Sequence, residues 1–209
     1  MVIAGTNFPE LNESIIRQHK LNKLEFIGFI DDNYLEKPKE ISKFPILGGW
    51  DILNQLDCNV VNSVAKSCQA RCDAIKRLES LGARLTGVRC LDILSDSASV
   101  SKTSIILADS RIGSNAKISN HAVIHQGVHI GHDVQVGEFC FLGPNSTLLG
   151  NATVESFSYI GAGAIISNKV RVGTGSTISA GAVVFSDVPP MSLVVGNPAL
   201  KLGSNEAVR

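Results

Sequence analysis

Four of the chain's five histidines, His121, His125, His129 and His132, fall within twelve residues, at gaps of four, four and three. Such a cluster could ligate a metal or supply a general base. Zinc wants three or four well-placed ligands. A neutral imidazole suits a different role, taking a proton from an amine nucleophile at neutral pH. Only His132 is followed by a carboxylate, Asp133. That neighbour can raise the basicity of the imidazole, within the chain or across a subunit interface. The competing reading of His132 is a polar turn residue facing water, and pattern alone leaves both open. His121, His125 and His129 are expected as polar residues of the surface or of a subunit interface. The five cysteines are scattered, and Cys68 and Cys72 stand four apart rather than in a C-x-x-C. Free thiols in a reducing cytoplasm follow.

The element that carries the cluster is a six-residue repeat. Every sixth residue from Leu94 to Val184 is Leu, Val or Ile, sixteen positions without an insertion. Four residues after each stands Ala, Ser, Val or Cys, from Ala98 to Val188. Internal repeats of this kind decide the fold before local propensity does. Each hexad supplies a short strand and a corner, and three hexads close a triangular coil of eighteen residues. The aliphatic residue points into the prism, and the small residue shares the interior near the corner. Coils stack at strand spacing, so sixteen hexads make about five coils and roughly 25 Å of prism. Gly113, Gly131, Gly137, Gly143, Gly161 and Gly173 each follow an aliphatic residue. Tight corners explain them if glycine supplies the turn. The fold class expected is a left-handed parallel β-helix, and a pure scaffold without chemistry is its bland alternative.

The first half obeys another rule. Val2-Ile3-Ala4 reads as a strand, residues 10–19 as a helix with Leu11, Ile15 and Ile16 apolar, and Leu24 to Ile30 as a second strand. A third strand over 59–64 follows from its β-branched residues. A helix over 67–81 has Ala70, Ala74, Leu78 and Leu81 on one face, with Gly82 as its stop. This alternation predicts a small Rossmann-like parallel α/β sheet. The domain division expected is 1–87 for the α/β part and 88–209 for the β-helix with its tail.

Composition narrows the partners. Lys+Arg and Asp+Glu both number 19, so no basic excess points to nucleic acid or an anionic membrane. No apolar run approaches the length of a membrane span. The first residues lack the basic start and apolar stretch of a signal peptide, so a cytoplasmic protein is expected. Apolar residues at 44% provide for a sizeable core.

The run from Ile130 to Phe139, Ile-Gly-His-Asp-Val-Gln-Val-Gly-Glu-Phe, resembles the "GHD-x-x-IG-[DE]-F" segment of the PglD/NeuD-like sugar acetyltransferases. Further matches come in order: Leu149-Gly150-Asn151, Ile160-Gly161-Ala162-Gly163-Ala164, Ala180-Gly181-Ala182-Val183-Val184, Asp187-Val188-Pro189 and Val195-Gly196-Asn197-Pro198-Ala199. In the first half Gly28-Phe29-Ile30-Asp31-Asp32 looks like "GFIDD", and Pro45-Ile46-Leu47-Gly48-Gly49 like "PVLGG". The resemblance implies a homotrimer with acetyl-CoA as co-substrate in a groove between prisms, no metal, and a nucleotide-linked 4-amino-4,6-dideoxy sugar as acceptor. His132 is then the base and Asp133 its carboxylate. Gly150 offers an N–H to the oxyanion, and Ala162 and Gly181 lie against the coenzyme. Gly5, Asp31 and Asp32 belong to the acceptor side, where a polar strand-end turn is the plainer account of the two aspartates. Val123, Val128, Ile165 and Val183, near a flat prism face, would favour self-association.

The chain departs from the family pattern at three places. Phe141 stands on the coenzyme side where the family has a second histidine. The glycine-rich turn is reduced to Gly5 in Gly5-Thr6-Asn7-Phe8-Pro9, with Phe8 filling space and Pro9 lacking an N–H. Ala65-Lys66-Ser67-Cys68 replaces "IG-[DN]-N". The γ-class carbonic anhydrases share the prism, but their H-x-x-x-x-H has no counterpart here. O-acetylation of a sugar hydroxyl, as in the sialic-acid branch, is the competing reaction. A catalytically weak binding or assembly module is the competing class.

Overall fold

The computed structural model describes the chain except residues 22, 65, 66, 91, 92 and 205–209. Lys66 thus lies outside the described residues. The chain divides into two compact units, Met1–Val88 and Arg89–Arg209.

The first unit holds β1 (Val2–Ala4), α1 (Pro9–Lys20), β2 (Gly28–Ile30), β3 (Glu40–Ile41), β4 (Phe44–Gly48), β5 (Asn59–Asn62), α2 (Cys68–Ser80) and β6 (Arg84–Leu85). They form one sheet in the order β3-β4-β2-β1-β5-β6, parallel except for the β3–β4 hairpin. The second strand is shorter than the apolar run 24–30 predicts. It pairs only where β1 offers a partner, Val2 with Gly28 through Ala4 with Ile30. The β3–β4 hairpin was not read from the sequence. Gly28 is required there, since a Cβ would stand 2.6 Å from the Pro45 carbonyl oxygen. The α2 helix is capped by Ser67, whose hydroxyl accepts the Ala70 N–H at 3.0 Å. It buries Arg71, Cys72, Ala74, Ile75 and Leu78, so the inward stripe lies to one side of the expected face.

The second unit is a left-handed parallel β-helix. Sixteen two-residue strands run from β7 (Ile93–Leu94) to β22 (Val183–Val184), and each of the sixteen repeat positions is the second residue of a strand. Residues eighteen apart pair in parallel register and build three faces. The first face has strands starting at Ile93, Arg111, His129, Thr147, Ile165 and Val183. The second starts at Ser99, Lys117, Gln135, Thr153 and Arg171. The third has Ile105, Val123, Phe141, Tyr159 and Thr177, and ends in a hairpin of β23 (Ser192–Val195) and β24 (Leu200–Ser204). Ladders such as Ile112, Ile130, Leu148, Ile166 and Val184 fill the interior, with the small residues Ala116, Val134 and Ala152 beside them. Val128 belongs to this interior, and Val123, the first residue of its strand, is buried as well, so neither is on an exposed face.

The corners correct the glycine expectation. The left-handed residue is the third after each aliphatic one: thirteen in succession, from Asp109 to Gly181, have φ between 55° and 69°. Asn, Asp and Gly predominate there, as steric cost requires. Gly113, Gly131, Gly137, Gly143, Gly161 and Gly173 are not in that region. They are glycine because coils touch: a Cβ would stand 2.4–2.9 Å from backbone of the next coil.

Candidate active site

His132 and Asp133 occupy the corner between the first and second faces, held by Ile130 and Val134, both buried completely. Backbone bonds to both neighbouring coils fix the turn: Asp133 N–H to the Ser114 carbonyl at 2.8 Å, and Asn151 N–H to the His132 carbonyl at 2.9 Å. Asp133 takes the left-handed position with φ 58°. Its Oδ2 lies 2.8 Å from His132 Nδ1, and its Oδ1 accepts from Asn115 Nδ2 at 3.2 Å. The hydrogen bond from His132, then that from Asn115, hold the Asp133 carboxyl below the ordinary carboxylate range. An ionised Asp133 selects the tautomer with the proton on Nδ1, which leaves the Nε2 lone pair as the acceptor. The ring is well exposed, at 60% for the side chain.

Nε2 rests over Gly150, one coil on. A Cβ built at Gly150 would stand 2.3 Å from Nε2 and 2.7 Å from Cε1, so only glycine leaves room for the imidazole. The Gly150 N–H has no acceptor among the described residues, because the coil-to-coil bonds use the N–H groups of Leu149 and Asn151 on either side. A proton acceptor and an unengaged backbone donor therefore share one small patch. Asn115 was missed by sequence reasoning. The signal was present, since it stands one coil, eighteen residues, before Asp133.

The other expected site residues are elsewhere. Ala162 and Gly181 are exposed at the corner between the third and first faces, joined by the Gly181 N–H to the Ala162 carbonyl at 2.8 Å. A Cβ added at Gly181 would meet nothing within 4 Å. Phe141 is on the third face, stacked on Tyr159 with centroids 5.1 Å apart and planes at 2°. Within one chain it does not join His132. His125 is buried rather than a surface residue, with its ring 5.9 Å from that of Phe141 and its Nδ1 accepting the Gln126 N–H at 2.9 Å. His121 stacks on Phe139 at 5.0 Å, and His129 is exposed on the first face. Among the described residues no group of three His, Cys, Asp or Glu is placed to hold a metal ion. A shallow depression of ≈ 350 Å³ on the second face, lined by Lys117, Gln135, Thr153 and Glu155, contains none of these residues.

In the first unit Gly5 follows β1 with φ 90° and donates to the Ile30 carbonyl at 2.8 Å. Asp31 is buried, with Oδ2 accepting from the Thr6 hydroxyl at 2.8 Å and Oδ1 from the Asn33 N–H at 3.0 Å. Asp32 accepts the Trp50 N–H at 3.2 Å and pairs with Arg77. Phe8 is buried rather than standing in the mouth of the turn, and Pro9 begins α1, where its missing N–H costs nothing.

Residues 106–198 match the family described as the GMPPB C-terminal domain. No curated protein matches the chain. Three solved structures are alike over nearly its whole length. PerB from Caulobacter crescentus, in complex with CoA and GDP-perosamine, has a TM-score of 0.84 at 22% identity, covering 97% of this chain and 96% of that one. The acetyltransferase domain of PglB from Neisseria gonorrhoeae, in complex with acetyl coenzyme A, has 0.83 at 22%, covering 96% and 98%. WeeI from Acinetobacter baumannii has 0.83 at 24%, covering 96% and 98%. At this identity the likeness is one of fold, and it extends through both units: the chain has the α/β-plus-β-helix fold of these proteins.

Proposed function

We propose that the chain is an acetyl-CoA-dependent acetyltransferase, acting on a nucleotide-linked 4-amino-4,6-dideoxy sugar of surface-polysaccharide synthesis in the cytoplasm. The observation that carries this is the patch where His132 Nε2, its other nitrogen held by Asp133, stands where a Cβ of Gly150 would be, beside a Gly150 N–H with no acceptor among the described residues. The shared fold of proteins holding CoA with GDP-perosamine, or acetyl-CoA, supports the class of substrate.

The chemistry needs a base and an oxyanion donor. The sugar amine attacks the thioester carbonyl carbon, and Nε2 accepts the proton the amine loses. Asp133 stabilises the imidazolium that forms. The carbonyl oxygen becomes an oxyanion facing the Gly150 N–H. Collapse breaks the C–S bond, and the imidazolium returns its proton to the departing thiolate, giving the amide and free CoA.

A homotrimer accounts for the dispersal of the remaining residues. Phe141, on the third face, would reach the patch from a neighbouring copy, as would the open corner at Ala162 and Gly181. Exposed Ile165 and Tyr159 are apolar surface for such packing. The α/β unit, with Gly5, Asp31 and Asp32 at the carboxyl ends of its strands, is the acceptor side.

The test is acetyl-CoA-dependent thiol release against UDP-, dTDP- and GDP-linked 4-amino sugars, with the 4-hydroxy sugars and sialic acid alongside. Release with one amino sugar is expected. Release with a hydroxy sugar alone would make the enzyme an O-acetyltransferase, and binding of acetyl-CoA without release would make it a binding module.

A further inference from the structure

The turn after β2 and the start of the segment after β4 meet at the carboxyl edge of the sheet, where the Asp31 N–H bonds the Gly48 carbonyl at 2.9 Å. Trp50 stands there, 6% exposed and the only tryptophan of the chain. The Arg77 guanidinium lies over its ring, 5.0 Å from the centroid. The Asp32 carboxylate ties the two together, accepting from the Trp50 backbone N–H at 3.2 Å with one oxygen and from Arg77 Nη1 with the other. The Arg77 side chain remains 57% exposed. The guanidinium is therefore seated over the indole and tied through Nη1 to Asp32, while much of the side chain meets solvent.

An arginine so placed differs from an ordinary surface arginine. Two contacts restrain it before anything binds, so a flat ligand that stacks on it spends less ordering free energy at the moment of binding. Guanidinium planes backed by aromatic rings are stacking platforms for nucleobases. The location agrees, since open α/β sheets take ligands beyond the carboxyl ends of their strands.

The geometry points to Arg77, locked by Trp50 and Asp32, as the platform on which the nucleobase of a nucleoside diphosphate stacks. The inference rests on the nucleotide-sugar reading for the class of ligand, and on the first unit alone for the site. It adds two specificity-determining residues, Trp50 and Arg77, to the acceptor side. Asp32 then acts by orienting the platform rather than by touching the ligand.

The full chain is titrated with UDP, dTDP, GDP and ADP, each followed by calorimetry and by the emission of Trp50. A nucleotide that binds is expected to change Trp50 emission saturably, with the calorimetric dissociation constant. Arg77→Ala then weakens binding about tenfold, the scale of one base stack. Arg77→Lys, which keeps the charge and stem but loses the plane, weakens it nearly as much. Circular dichroism checks that both variants fold. Calorimetric binding that leaves Trp50 emission unchanged, or Arg77→Lys binding as the parent does, overturns the platform and leaves the nucleotide reading standing. Calorimetric silence with all four nucleotides overturns the nucleotide reading, and the platform with it.

Discussion

At the level of single residues, His132 is defined by what it touches. Asp133 fixes Nδ1, Asn115 fixes Asp133, and Gly150 supplies the floor beneath the ring. His132→Asn should reduce kcat by about 10²- to 10⁴-fold, the usual worth of a general base, while acetyl-CoA still binds. Unchanged turnover would refute the assignment. Gly150→Ala tests the floor. The added methyl collides with the ring, so the imidazole must rotate away, and kcat should fall by on the order of 10², with no equivalent change in melting temperature. Asp133 makes a pH prediction. Its folded pKa is lowered, so its pairing is fully present above the ordinary carboxyl midpoint of about 3.9 and is lost only as pH falls through the lowered value. The ¹³C shift of its carboxyl carbon should titrate below that midpoint, and a titration above it would mean that the His132–Asp133 contact does not exist in solution.

At the level of elements, the aliphatic ladder was legible to the residue because a single rule governs every coil. The corners were less so. Glycine after the aliphatic residue looked like turn chemistry, but the turn is made two residues later. The glycine answers to the backbone of the next coil, which a linear reading does not contain. His125 read as a surface or interface residue for the same reason: Phe141, whose ring lies beside it, belongs to the next coil. The shortened β2 shows the limit from the other side, since its apolar residues reach beyond the three that β1 can pair. Lys169 follows from the corner rule. It holds φ 63° in a position where Asn, Asp or Gly is at less cost. Lys169→Asn should stabilise the chain by up to about 1 kcal/mol in urea unfolding, and a loss of stability would mean that the lysine has a contact that offsets its backbone cost.

At the level of the molecule, the proposed site, with the first-to-second corner of one prism and the third face of another, calls for association. Light scattering should give three times the chain's 22.2 kDa. A monomer that still turns over would place the whole site in one chain and remove Phe141 from it. The unbroken period has a consequence for length changes. Because every residue is stacked on the one eighteen positions away, the prism has its own grammar of insertion and deletion. Excising one whole coil beyond Lys169 would return each later residue to its own face and shorten the column by about 4.8 Å. Excising a single hexad between His132 and Ala162 would keep every aliphatic residue inside, yet turn all that follows by a third of a revolution. The interior would be unable to tell the two apart, while Ala162 and Gly181 would be carried from one edge of the column to another.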